Sequence, residues 1–75
     1  MMTLKDVPVG EFALIKKVGG KGATKRRIME MGVTRGTEVM VRKKAPLGDP
    51  LQLSLRGFEL TIRKADAEKI LVEER

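Results

Sequence analysis

A mainly β fold, a small barrel of about five strands with one α-helix after the first strand, is what this sequence predicts. Two observations carry the prediction. Apolar and polar residues alternate at a period of two in three successive runs, at 38–42, 51–55 and 58–62. One longer stretch, at 23–31, instead carries strong helix formers, and it follows the first strand-like segment.

Taken in order, "EFALIKKV" (11–18) is rich in β-formers, with Ala13 and Ile15 on one face and Phe12 and Leu14 on the other. "ATKRRIMEM" (23–31) carries Ile28 and Met31 three apart, as one helical face requires. Thr24 or Gly22 is its expected N-cap, and Gly32 is placed to end it as a left-handed C′ residue. "VTRGT" (33–37) reads as a turn in which Gly36 supplies an unusual φ. Val39 and Val41 then alternate with Glu38, Met40 and Arg42, and Leu51, Leu53 and Leu55 with Gln52 and Ser54. Phe58, Leu60 and Ile62 alternate with Glu59 and Thr61, which places Phe58 in the expected core. "PLGDP" (46–50) is a turn with proline at each end, and Arg56-Gly57 makes a tight hairpin, so Gly57 joins Gly32 and Gly36 as a structural turn residue. "KADAEKI" (64–70) reads as a short C-terminal helical turn and "ILVEE" (70–74) as a last strand. Short strands, tight turns and one helix together predict an SH3-like barrel, whose closure would remove the sheet edges a small chain cannot otherwise cover.

With 75 residues the chain has room for one domain, 1–75, and a domain of this size buries only about 60% of its unfolded surface. It has no Cys, so no disulfide supplements the core. No apolar run approaches the roughly 20 residues that span a bilayer, and the N-terminal "MMTLKDVPVGEF" lacks a signal-peptide core, so a soluble, cytoplasmic protein is expected. The net charge of +6 favours anionic partners, whether nucleic acid, an acidic protein face or lipid headgroups, although solubility alone accounts for it equally well. Enzyme readings fail on inventory. The chain has no His, Cys, Tyr or Trp, its only Ser is Ser54, and Asp6, Asp49 and Asp66 fall in separate turns. The same shortage leaves no soft or borderline metal ligand beyond Met29, Met31 and Met40, which read as core filler; neither metal nor cofactor is expected.

"VGGKGATKRR" (18–27) looks at first like a phosphate cradle. A P-loop needs its Lys and hydroxyl directly after the last glycine, whereas here Lys21 precedes Gly22 and Thr24 comes two residues later. The stretch therefore reads as the way into a helix. Its charge is harder to set aside: Lys16, Lys17, Lys21, Lys25, Arg26 and Arg27 lie between Phe12 and Met29 with no acidic residue among them. With two Phe as its only aromatic residues, the chain offers neither stacking platforms for single strands nor a groove for proline-rich peptides. A contact to phosphates alone stays open.

Three stretches together resemble a known family. "LKDVPVGEFALI", "KRRIMEMGVTRGTEV" and "PLGDPLQLSLRGFELTIRKADAEKILV" are similar, in this order and spacing, to the ferrous-iron transport protein A (FeoA) family. One departure is Arg35, where relatives often carry proline, which should loosen the turn. The resemblance implies an SH3-like barrel and a non-enzymatic accessory or regulator of ferrous-iron uptake. Such a protein docks on the cytoplasmic, GTP-binding region of a membrane ferrous-iron permease and sits at the inner face of the membrane through that partner. No stable nucleic-acid complex and no direct membrane insertion are expected. The alternative is a basic barrel that binds nucleic acid or acts as a metal-dependent regulator, since a related barrel forms the C-terminal domain of metal-dependent repressors. Partner-binding residues carried over by the resemblance are Lys25, Arg26 and Arg27 of the helix and Pro46, Leu47, Gly48, Asp49 and Pro50 of the turn. A solvated helix face accounts for the first group equally well, and ordinary turn chemistry competes for the second.

Overall fold

The computed structural model describes residues 2–75, with Gly48 by its backbone alone. Six strands alternate with two helices: β1 (Met2–Thr3), β2 (Phe12–Val18), α1 (Gly22–Glu30), β3 (Glu38–Lys44), β4 (Leu51–Leu55), β5 (Phe58–Ile62), α2 (Lys64–Ala67) and β6 (Ile70–Glu74). Short 3-10 turns cover Leu4–Asp6 and Pro46–Gly48. The strands form one antiparallel sheet in the order β1-β6-β2-β3-β4-β5. The first of them, β1, is the strand that periodicity does not reveal. Two residues carry no alternation, and its pairing with β6 (Met2 with Val72, Thr3 with Leu71) spans almost the whole chain.

The alternation seen in the sequence becomes the inner face of the sheet. Ala13, Ile15, Val39, Val41, Leu51, Leu53, Leu55, Leu60, Ile62, Ile70 and Val72 are all buried. A bulge between Ile15 and Lys17 shifts the phase of β2 against β6, so Ile15 and Val18 both point inward. The adjacent lysines Lys16 and Lys17 are thereby left together outside, Lys16 half-buried and Lys17 exposed. Leu4 and Val7, ahead of the first long strand, are fully buried as well, each worth about 1.5–3 kcal/mol of transfer free energy.

Strand pairing does not close the barrel. β1 and β5 stand at the ends of the sheet, each with one neighbour. The gap between them is sealed by side chains, because α2 and the Leu4–Asp6 turn pack there and bury Leu4 and Ala67. The expected removal of both edges is thus replaced by a short β1 and a covering helical turn.

Local chemistry explains the turns. At Arg56-Gly57, φ is +49° and +87°, the pair of positive values a two-residue hairpin needs, with Leu55 opposite Phe58 at its base. α1 ends in a Schellman motif. Gly32, at φ +105°, donates its N–H to the Met29 carbonyl, and Val33 donates to Ile28. At the other end the expectation needs correction. The cap is the extended Lys21 rather than Thr24 or Gly22, because positive φ at Gly20 and Gly22 completes the reversal early. Phe58 also departs from expectation. It shares the inner face of β5 but sits at the strand's first position, near Gly32, and 47% of it stays exposed. Of the three methionines read as core filler, Met31 packs on the core, Met40 is half-buried and Met29 is exposed.

Two carboxyls near the sheet's β6 side carry opposite pH signatures. Asp6 accepts hydrogen bonds from the Thr3 backbone N–H (3.2 Å) and hydroxyl (3.1 Å), which hold its carboxyl below the usual aspartate range. Glu11 is held above the usual glutamate value by a hydrogen bond shared with Glu74, then by desolvation and by Glu74's charge. A raised carboxyl pKa stabilises the fold at low pH, and that contribution is lost as pH rises. Urea unfolding of the Glu74→Gln variant, compared with the parent across pH, should therefore lack the Glu11 contribution, which is present at low pH and lost as pH rises through the raised Glu11 pKa. An unchanged profile would mean the two carboxyls do not share a proton.

A second prediction comes from the end of β2. The Gly19 N–H donates to the Lys69 carbonyl at 2.7 Å, and a Cβ built on Gly19 would stand 2.7 Å from that same oxygen. Gly19→Ala should cost about 1–3 kcal/mol in urea unfolding, since one backbone must retreat from the other. A loss of a few tenths or less would contradict the close approach.

Candidate functional site

The net charge of the molecule has one address. Six of the 16 basic residues lie between Phe12 and Met29 without an acidic residue among them, leaving ten to face the ten acidic ones in the rest of the chain. Ion pairing follows the same division. Lys5, Arg42, Arg63 and Arg75, all outside the stretch, pair with Glu68, Glu59, Asp66 and Glu38 at 3.4–4.0 Å. Inside it Lys16 alone is paired, with Glu73 at 3.8 Å. Lys17, Lys21, Lys25, Arg26 and Arg27 make no ion pair among the described residues.

These five cations are set by the bulge in β2, by the glycine-rich reversal and by α1. α1 contributes one side chain to the buried core, Ile28; Thr24 and Lys25 are half-buried, and its other side chains are exposed. On that surface an open groove of about 550 Å³ is lined by Gly20, Lys21, Gly22, Lys25, Arg26, Met29 and Glu30. Met29, four residues after Lys25 and hence on the same side of the helix, supplies apolar area that is 39% exposed. The structure thus brings Lys25 and Arg26 together at one groove. Arg27, a further 100° round the helix, is exposed outside it.

The second expected surface has a different character. Leu47 is 94% exposed and sits at φ +68°, a conformation that costs a branched side chain about 1 kcal/mol or more. The turn around it is braced. Ala45 donates its N–H to the Pro50 carbonyl at 3.0 Å, and Pro46 fixes the start of the 3-10 turn. Asp49 Oδ1 accepts the backbone N–H of Lys64 at 3.0 Å and so caps α2 from 15 residues away. That long-range cap gives Asp49 a structural role no local turn rule contains. Pro50 belongs to a depression of about 200 Å³ with Lys43, Lys44 and Gln52, which shares no residue with the helix groove.

α2 joins the two surfaces. Its first residue, Lys64, is held by Asp49, while Lys69, just past its end, meets Gly19 at the approach to α1. The helix groove and the Leu47 turn therefore lie at the two ends of the α2 segment.

Ser54, the one serine, lies half-buried on the outward side of β4 opposite Met40 and Glu59. Among the described residues no three His, Cys, Asp or Glu side chains come together. Neither phenylalanine reaches the basic end. Phe12 pairs across strands with Met40, and Phe58 lies against Gly32 at the far end of α1. Among the described residues no helix is long and apolar enough to cross a membrane.

Comparison with known proteins agrees with this picture. The FeoA domain model matches residues 2–74. A fusion of Fe(2+) transport protein A with the Fe(2+) transporter FeoB, from Porphyromonas gingivalis, is 38% identical over 72 residues. The match covers 96% of this chain and 8% of the fusion's length. The solution structure of FeoA from Chlorobium tepidum superposes with a TM-score of 0.91 at 37% identity, covering 97% of this chain and 70% of that one. The crystal structure of Stenotrophomonas maltophilia FeoA complexed with zinc, a procaryotic SH3 domain protein, gives a TM-score of 0.84 at 28% identity, covering 97% and 91%. The six-stranded, SH3-like chain described above belongs to the FeoA domain family.

Proposed function

We propose that the protein is a non-enzymatic accessory of ferrous-iron transport that docks on the cytoplasmic, GTP-binding region of a ferrous-iron permease. The observation that carries this reading is the relative in which the same domain is joined to the transporter FeoB in one chain. A domain fused to its partner in one organism is a natural docking partner for the separate protein in another. The chemistry supports the same role, since the side-chain inventory offers surfaces and no reacting groups.

The protein contact is carried by the Pro46–Pro50 turn. Exposure and positive φ both work against Leu47 in the isolated fold, and both are offset if the side chain fills a pocket on the partner. The proline-flanked turn holds Leu47 in place beforehand, which lowers the ordering cost of binding. Through Asp49 and Lys64 the load passes directly into α2 and the core.

Calorimetric titration of the permease's cytoplasmic region with this protein should show saturable binding. Leu47→Asp should weaken it by at least about tenfold, the signature of a buried apolar anchor, while leaving the unfolding curve in place because the side chain touches little of its own fold. No heat of binding with the unaltered protein would end the docking reading. Equal affinity for the variant would move the anchor elsewhere.

A further inference from the structure

We infer that the basic end of the molecule, Lys17, Lys21, Lys25, Arg26 and Arg27, rests on the anionic headgroups of a membrane surface. The inference builds on the reading that the protein works beside a membrane transporter, and it assigns the α1 surface to lipid rather than to that transporter.

Four features of this end fit a lipid surface. Six basic residues, as many as the chain's net charge, lie in this stretch, and the five other than Lys16 have no ion-pair partner among the described residues. They are spread from β2 across the reversal and along α1 instead of converging on one point, as a diffuse layer of phosphates requires and a single bound anion does not. Acidic groups are sparse here: Glu30 at the groove and Asp66 in the adjoining crevice beside Lys69, with Glu73 occupied by Lys16. Finally, Met29 offers exposed apolar surface among the cations, and Gly20 and Gly22 line the groove without side chains, so the chain can lie close to a headgroup plane.

Nucleic acid fits less well. The two phenylalanines are elsewhere, so nothing here stacks on a base. An acidic protein face would be matched better by a compact, bidentate arginine cluster than by three lysines and two arginines spread over three segments.

The test is co-sedimentation of the full chain with vesicles of phosphatidylcholine, with and without phosphatidylglycerol, in the absence of any permease. Binding should need the anionic lipid and fade as salt rises through the physiological range. Each basic side chain near an anionic surface multiplies partitioning roughly fivefold, so the triple variant Lys17→Gln, Lys21→Gln, Lys25→Gln should lose on the order of 100-fold. A charge-matched control, Arg35→Gln, Lys43→Gln, Lys64→Gln, should stay within a few-fold of the parent, and circular dichroism confirms that both variants are folded. Three results would overturn the proposal: no binding to anionic vesicles at low salt, equal loss in the two triple variants, or complete displacement from vesicles by a short DNA duplex at matched phosphate. Because the permease is absent, failure here leaves the Leu47 docking titration untouched, and failure there leaves this result standing.

Discussion

The β2–β6 ladder, and the point where it runs out at Gly19 and Lys69, is the constraint on which the rest of the molecule depends. β2 is hydrogen-bonded on both sides, to β3 and to β6, and its inward residues sit at the centre of the core. Beyond Val18 the ladder makes one more bond, from Gly19 to the Lys69 carbonyl, at a separation that leaves no room for a side chain. That contact fixes where α1 starts relative to α2. A bulkier residue would lift the reversal off α2 and separate the two exposed surfaces that α2 connects.

A barrel of this size has few ways to be both stable and useful. Its interior is filled by 17 apolar residues drawn from every strand except β1, along with the N-terminal segment, both helices and the turn after α1. Function therefore falls to what the core leaves over, a helix that gives one side chain to the interior and a turn that gives none. Both carry features that the proposed contacts would use: unpaired charge on α1, and an exposed leucine at positive φ on the Pro46–Pro50 turn. The remaining surface is balanced in charge, with ten basic residues against ten acidic ones and four ion pairs.

Much of the fold was legible because its signals are local. Alternation over Val39–Val41, Leu51–Leu55 and Leu60–Ile62 reports a half-buried sheet, and Gly32 and Arg56-Gly57 report backbone geometry few other residues adopt. What the sequence hid is non-local. β1 pairs with the other end of the chain, Asp49 caps a helix 15 residues on, and Leu4 and Val7 are buried by a gap in the sheet that no sequence window contains. Phe58 misled because alternation assigns a face but not a depth: the first residue of an edge strand shares the inner face yet stays 47% exposed. For the site, the basic run and the proline-flanked turn were visible as motifs. Their arrangement on either side of α2, with Arg27 outside the groove that holds Lys25 and Arg26, required coordinates.

The central claim is that one small barrel meets a transporter with its Leu47 turn while its basic helix faces the lipid. Amide hydrogen exchange on the protein bound to permease-containing anionic nanodiscs, against the same discs without permease, tests it most directly. The account predicts protection at 17–27 in both samples and at 46–50 only when the permease is present. Protection at 17–27 that needs the permease and ignores lipid charge would contradict it.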